Sequence, residues 1–148
     1  MYPFYLELEL IKPVSDYFKK QGYIVKNEIK IGYCRADLVA FKNDEVVAVE
    51  LKLSDWKKAI VQAKNYQLAA DYVYLAVPLL RAYNILKKAE HILKKEGIGL
   101  LIVKEKNCEI SKIIESKVSK TKMCNITIEE VRKNKKRKLN KRSHYHKK

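Results

Sequence analysis

Cysteine is scarce and scattered in this chain of 148 residues: Cys34, Cys108 and Cys124 form no CxxC pair. That spacing argues against a zinc ribbon or a redox dithiol, and reads as three reduced thiols. Histidine is as thin. His91, His144 and His146 are too few for a metal cage, and His144 and His146 sit in a highly charged tail. Long apolar runs are missing too. The longest, Tyr72–Leu80, has nine residues and contains Pro78, far short of the roughly 20 needed to cross a bilayer. Glu7 and Glu9 interrupt the apolar N-terminus, and no basic segment precedes it. It therefore does not read as a secretory signal, and a cytoplasmic location is the default expectation. There is no Walker A loop and no GxGxxG turn, Gly97-Ile98-Gly99 being too short a signal, so no nucleotide cofactor is expected.

Positive charge is abundant. The formal net charge is +15, and residues 131–148 hold ten Lys or Arg with no Asp or Glu. Without those ten charges residues 1–130 retain +5, so a mildly basic body, expected as one domain, carries an intensely basic tail. Such a tail attracts polyanions by counterion release, and Lys136, Arg137, Lys138, Lys141 and Arg142 are its candidate nucleic-acid contacts. It equally resembles a disordered, solubilising end.

Periodicity outlines the domain. Leu6, Leu10, Val14, Tyr17 and Phe18 keep a helical rhythm over residues 6–20, with Pro13 marking either a kink or the first turn of the helix proper. Tyr23–Ile31 alternates as a strand. Two short apolar strands, Ala36–Phe41 and Val46–Leu53, flank a turn at Asn43-Asp44. Ser54 offers an N-cap for a helix from Asp55 to about Ala70. Tyr72–Val77 reads as a buried strand, Asn84–Glu96 as an amphipathic helix closed by Gly97, and Ile98–Val103 as a further strand parallel to Tyr72–Val77. Residues 104–130 give only a weak strand signal near Ile110–Ile114. The expected architecture is α/β, a mixed sheet flanked by helices in the order α-β-β-β-α-β-α-β.

The hairpin places the chemistry. With its turn at Asn43-Asp44, facing residues have numbers adding to 87, which sets Asp37 opposite Glu50 and Arg35 opposite Lys52. The strand period of two puts Lys52 on the face of Glu50. Val46 and Ala48 make one face of that strand apolar, while Val47, Val49 and Leu51 do the same for the other, so the strand should be central and its charges buried. Two facing buried carboxylates are costly unless one holds a proton or a cation bridges them. A hard divalent ion suits that pair, and the lysine can then steady charge on a phosphate. The alternative is a surface hairpin whose Asp37, Glu50 and Lys52 are solvated edge charges.

The string Arg35-Ala36-Asp37-Leu38-Val39-Ala40, followed by Val47-Ala48-Val49-Glu50-Leu51-Lys52, resembles the D…(D/E)xK signature of the PD-(D/E)XK nuclease superfamily, in which Ala36 replaces the proline of the family name. That superfamily has the restriction-endonuclease-like fold and includes the archaeal-type Holliday junction resolvases. The resemblance covers about the first 103 residues. It implies a metal-dependent DNA endonuclease, with Asp37 and Glu50 binding Mg²⁺ or Mn²⁺ and Lys52 assisting attack by water. Many members add a helix glutamate, here Glu7 or Glu9. The stretch Glu7-Leu8-Glu9-Leu10-Ile11-Lys12-Pro13-Val14 with Gln21-Gly22-Tyr23 is similar to an opening in some uncharacterised relatives and favours Glu7. Gln62 and Tyr66 resemble the Q-x-x-x-Y of exonuclease-like members, which helps place substrate or water. Trp56 reads as a packing residue. Arg35 is a candidate DNA contact, and a homodimer accords with the habits of the superfamily. The rival reading is a catalytically inactive nucleic-acid-binding module of the same fold.

Overall fold

The computed structural model describes residues 4–31 and 34–123. The basic tail, with Lys136, Arg137, Lys138, Lys141 and Arg142, lies outside them, as do Cys124, His144 and His146.

A 3-10 turn, Glu7–Leu10, leads directly into helix α1, Ile11–Lys19. Pro13 stands in the first turn of α1, where its missing N–H costs nothing, so the continuous helix expected over residues 6–20 divides in two. Six strands follow: β1 (Ile24–Ile31), β2 (Cys34–Lys42), β3 (Glu45–Leu51), β4 (Tyr72–Pro78), β5 (Gly99–Val103) and β6 (Ile110–Ile114). Helix α2, Trp56–Tyr66, joins β3 to β4, and helix α3, Leu79–Glu96, joins β4 to β5. The strands lie in one sheet in chain order. β1, β2 and β3 are antiparallel, β3, β4 and β5 are parallel, and β6 returns antiparallel to β5. This is the expected α/β architecture, with β6 confirmed as a sixth strand.

Three boundaries differ from expectation for identifiable reasons. Ser54 does not cap α2; Asp55 does, its Oδ1 accepting from Lys58 N at 3.2 Å while its own backbone takes φ 54°. Asp tolerates that left-handed conformation better than most residues. α2 stops at Tyr66 rather than near Ala70, and the side chain of Gln67 turns to donate to the carbonyl of Glu96 at the end of α3 (2.6 Å). α3 begins five residues before Asn84, immediately after Pro78, whose extended backbone ends β4 and admits the helix at the next residue.

Burial on both faces makes three layers. Leu10, Val14 and Phe18 of α1 pack with Leu38, Val47, Val49 and Leu51 on one face. Ala59, Ile60, Ala63 and Tyr66 of α2, with Ala82, Ile85, Ala89 and Leu93 of α3, cover Val39, Val46, Ala48, Leu75 and Val77 on the other. β3 therefore sits between β2 and β4 with helices above and below, and its polar side chains have little access to water.

Candidate functional site

The β2–β3 ladder has the expected register: Lys42 pairs with Glu45, Phe41 with Val46, and so on to Leu38 with Val49. The next step would set Asp37 beside Glu50, and there the ladder stops. Asp37 Oδ2 instead accepts from the backbone N–H of Leu51 at 2.9 Å, a side chain taking over the hydrogen bond that the strand no longer makes. The expected pairing of Arg35 with Lys52 fails as well. Arg35 instead pairs with Lys30 of β1 and is exposed, because the two strands have already parted before Lys52 could face it.

Glu50 pairs with Leu75 of β4, and Lys52 N continues that line by donating to Ala76 O at 3.0 Å. Lys52 thus emerges on the same side as Glu50, with Nζ 4.0 Å from Glu50 Oε1. Its second partner is Glu7 on the 3-10 turn, at 3.7 Å. The two N-terminal glutamates differ in where they point: Glu9 folds back onto its own turn, Oε1 accepting from Leu6 N at 2.9 Å and Tyr5 N at 3.1 Å, whereas Glu7 reaches Lys52.

Glu50 is 5% exposed. Tyr66, from the last turn of α2, meets Glu50 Oε2 at 2.5 Å and the carbonyl of Arg35 at 3.0 Å. One phenolic proton cannot fully serve both acceptors. If Glu50 is protonated, its own hydroxyl can donate to Tyr66 while Tyr66 donates to Arg35. Burial accordingly pushes the Glu50 carboxyl up to about 7; the Tyr66 hydrogen bond opposes this, the charges of Asp37 and Glu7 add to it, and Lys52 offsets part. Burial also raises Asp37, held back by the Leu51 N–H and by Lys52.

Gln62 is half-buried one turn before Tyr66 and makes no side-chain hydrogen bond among the described residues. Of the Q-x-x-x-Y pair, Tyr66 is the one that hydrogen-bonds Glu50.

Among the described residues no group of three or more His, Cys, Asp or Glu is gathered closely enough to form a protein-only metal cage. The donor set nonetheless fits a hard, hydrated divalent ion, which binds through one or two carboxylates and keeps its waters. One oxygen of each carboxylate is fixed by the fold, Asp37 Oδ2 by Leu51 N and Glu50 Oε2 by Tyr66.

The order of strands and helices, with Glu50 near the end of the central β3 and Asp37 on the adjacent β2, is that of the restriction-endonuclease-like fold. Solved structures with this fold resemble the chain. A protein of unknown function from Silicibacter pomeroyi matches with a TM-score of 0.70 and 17% identity, covering 93% of this chain and 91% of its own. A XisH family protein from Nostoc punctiforme matches at 0.55 and 22% identity, covering 72% and 97%. An fdxN element excision controlling factor protein from Anabaena variabilis matches at 0.52 and 23%, covering 72% and 96%. The sequence matches no family model and no curated protein.

Proposed function

We propose that this chain is a metal-dependent DNA endonuclease of the PD-(D/E)XK type, acting in the cytoplasm on phosphodiester bonds. The observation that carries the reading is the buried carboxylate of Glu50 at the end of β3, with the half-buried carboxylate of Asp37 on the neighbouring β2 and the ammonium of Lys52 beside it. Asp37 and Glu50, with Glu7 at the rim, would hold Mg²⁺ or Mn²⁺. The ion supplies Lewis acidity toward a phosphate oxygen. Lys52 would steady the negative charge growing on that phosphate, and Glu7, 3.7 Å from its ammonium, would help hold it in place. Burial favours a proton on Glu50, and the Tyr66 hydrogen bond opposes it. The excision-factor neighbour accords with a role at DNA, and Arg35 with the basic tail supplies candidate contacts to its backbone. Homodimerisation, common in the superfamily, belongs to the same proposal.

The test is cleavage of linear, circular and branched DNA in Mg²⁺ or Mn²⁺ against chelator. Cutting should require metal and disappear in folded Asp37→Ala and Glu50→Ala proteins. Robust cutting by folded Glu50→Ala would remove this centre from the chemistry. One observation favours the second reading, a non-catalytic nucleic-acid-binding module: no cage of three or more metal ligands gathers among the described residues. That reading expects salt-sensitive binding and no metal-dependent cutting.

A further inference from the structure

Beside the carboxylates the surface is hollowed. A recess of about 80 Å³ is lined by Lys52, Ser54, Trp56 and Arg81. A cleft of about 500 Å³, bordered by Phe4, Tyr5, Pro78, Leu80 and Glu105, adjoins it. Leu53, Ser54 and Arg81 line both, so the two form one depression leading away from Lys52. The larger part falls within the roughly 300–1,000 Å³ of small-molecule sites.

Its charges are unevenly committed. The acidic side chains on its walls both serve helix starts: Asp55 Oδ1 accepts from Lys58 N, and Glu105 Oε2 from Leu80 N at 3.1 Å. The guanidinium of Arg81, exposed on the first turn of α3, forms no ion pair or hydrogen bond among the described residues. A planar cation left unpaired in a cleft suits a phosphate, which it can grip with two parallel hydrogen bonds. Tyr5 adds a ring that is 76% exposed. A ring so open is poorly accounted for by packing, and it offers a face on which a base can stack. Bases in a duplex already have both faces covered by their neighbours, so only an unpaired nucleotide can use it.

We propose that this depression seats an unpaired nucleotide of a single strand next to the cleaved phosphate, with Arg81 on its phosphate and its base on Tyr5. The position of that cleaved phosphate rests on the nuclease reading; the binding itself does not. The substrate class that follows is DNA with single-stranded character, such as an overhang, flap or branch point.

Trp56 lines the recess and is the chain's one tryptophan, so its fluorescence reports occupancy of this depression directly. The full chain, kept in chelator so that nothing is cut, is titrated with oligo-dT and separately with a blunt duplex. Oligo-dT should quench Trp56 and bind more tightly than the duplex. Arg81→Ala should weaken the quench by roughly tenfold, as expected when one charge-assisted hydrogen-bonded pair with a phosphate is removed. Arg81→Lys should recover part of it, Tyr5→Ala should weaken it too, and Lys20→Ala, just beyond the end of α1, should leave it unchanged. Preference for the duplex, or an Arg81→Ala protein that quenches like wild type, overturns the proposal. The two readings fail separately. Cutting with an Arg81-independent quench refutes the depression alone, whereas an Arg81-dependent quench without cutting refutes the nuclease alone.

Discussion

Glu50 is a carboxyl group that the folded chain prefers to keep protonated. Its rise from 4.5 to about 7 corresponds to about 3 kcal/mol between the two protonation states. The sign follows from proton counting. Between those values the native state binds more protons than the unfolded one, so stability falls as pH rises from 4.5 through 7. Asp37, also raised, acts in the same direction. In chelator, Glu50→Gln should therefore flatten the pH dependence of chemical denaturation and make the protein more stable than wild type at pH 8. A variant as pH-sensitive as wild type would place the titration elsewhere. Tyr66→Phe removes a donor that lowers the Glu50 value. The acid limb of the pH–cleavage profile should consequently move to higher pH in that variant.

The elements bring these groups together by local rules that are unequally legible. Asp55→Ala should cost about 1 kcal/mol in denaturant unfolding, the usual loss of an N-cap, while Ser54→Ala should cost far less; the reverse order would show that Ser54 is the cap. Gly99→Ala should be harsher, by about 1–3 kcal/mol, because an added Cβ would meet the ring of Tyr74 and lie 2.7 Å from Ser116 N. The hairpin register was readable because strand period and turn position leave no freedom once Asn43-Asp44 is the turn. The same arithmetic failed at Arg35, since counting assumes that strands stay paired and cannot see the Asp37 side chain taking the place of a ladder bond. α2 was readable as a helix from Ile60, Ala63 and its neighbours, yet helical period alone does not say which side chain of its inner face meets Glu50, and that residue is Tyr66. Periodicity could not separate Glu7 from Glu9, because the 3-10 turn that parts their directions has too few residues to show a period; only the resemblance favoured Glu7.

For the whole molecule, the carboxylate centre and the basic charge make coupled demands. Above the raised Glu50 value of about 7 both carboxylates of the centre carry charge, so Mg²⁺ or Mn²⁺ should raise the melting temperature more at pH 8 than at pH 6. The difference should vanish in Glu50→Gln. An equal rise at both pH values would mean that the ion binds elsewhere. Removing residues 131–148 takes away ten positive charges. If the tail holds DNA, the slope of log affinity against log salt should flatten by about 0.9 for each phosphate that the shortened chain no longer neutralises. An unchanged slope would assign binding to the body.

Each strand's neighbours in the sheet are also its neighbours in the chain, which gives assembly a direction during synthesis. Glu7, Asp37, Glu50, Lys52 and Tyr66 all leave the ribosome before β4. Until Leu75 and Ala76 close against β3, that edge of the strand stands open and its carboxylates remain hydrated, with the acidity of free side chains. The nascent chain therefore carries every group of the centre for some time before it acquires the perturbed acidity that sets them apart, and the arrival of one strand supplies it.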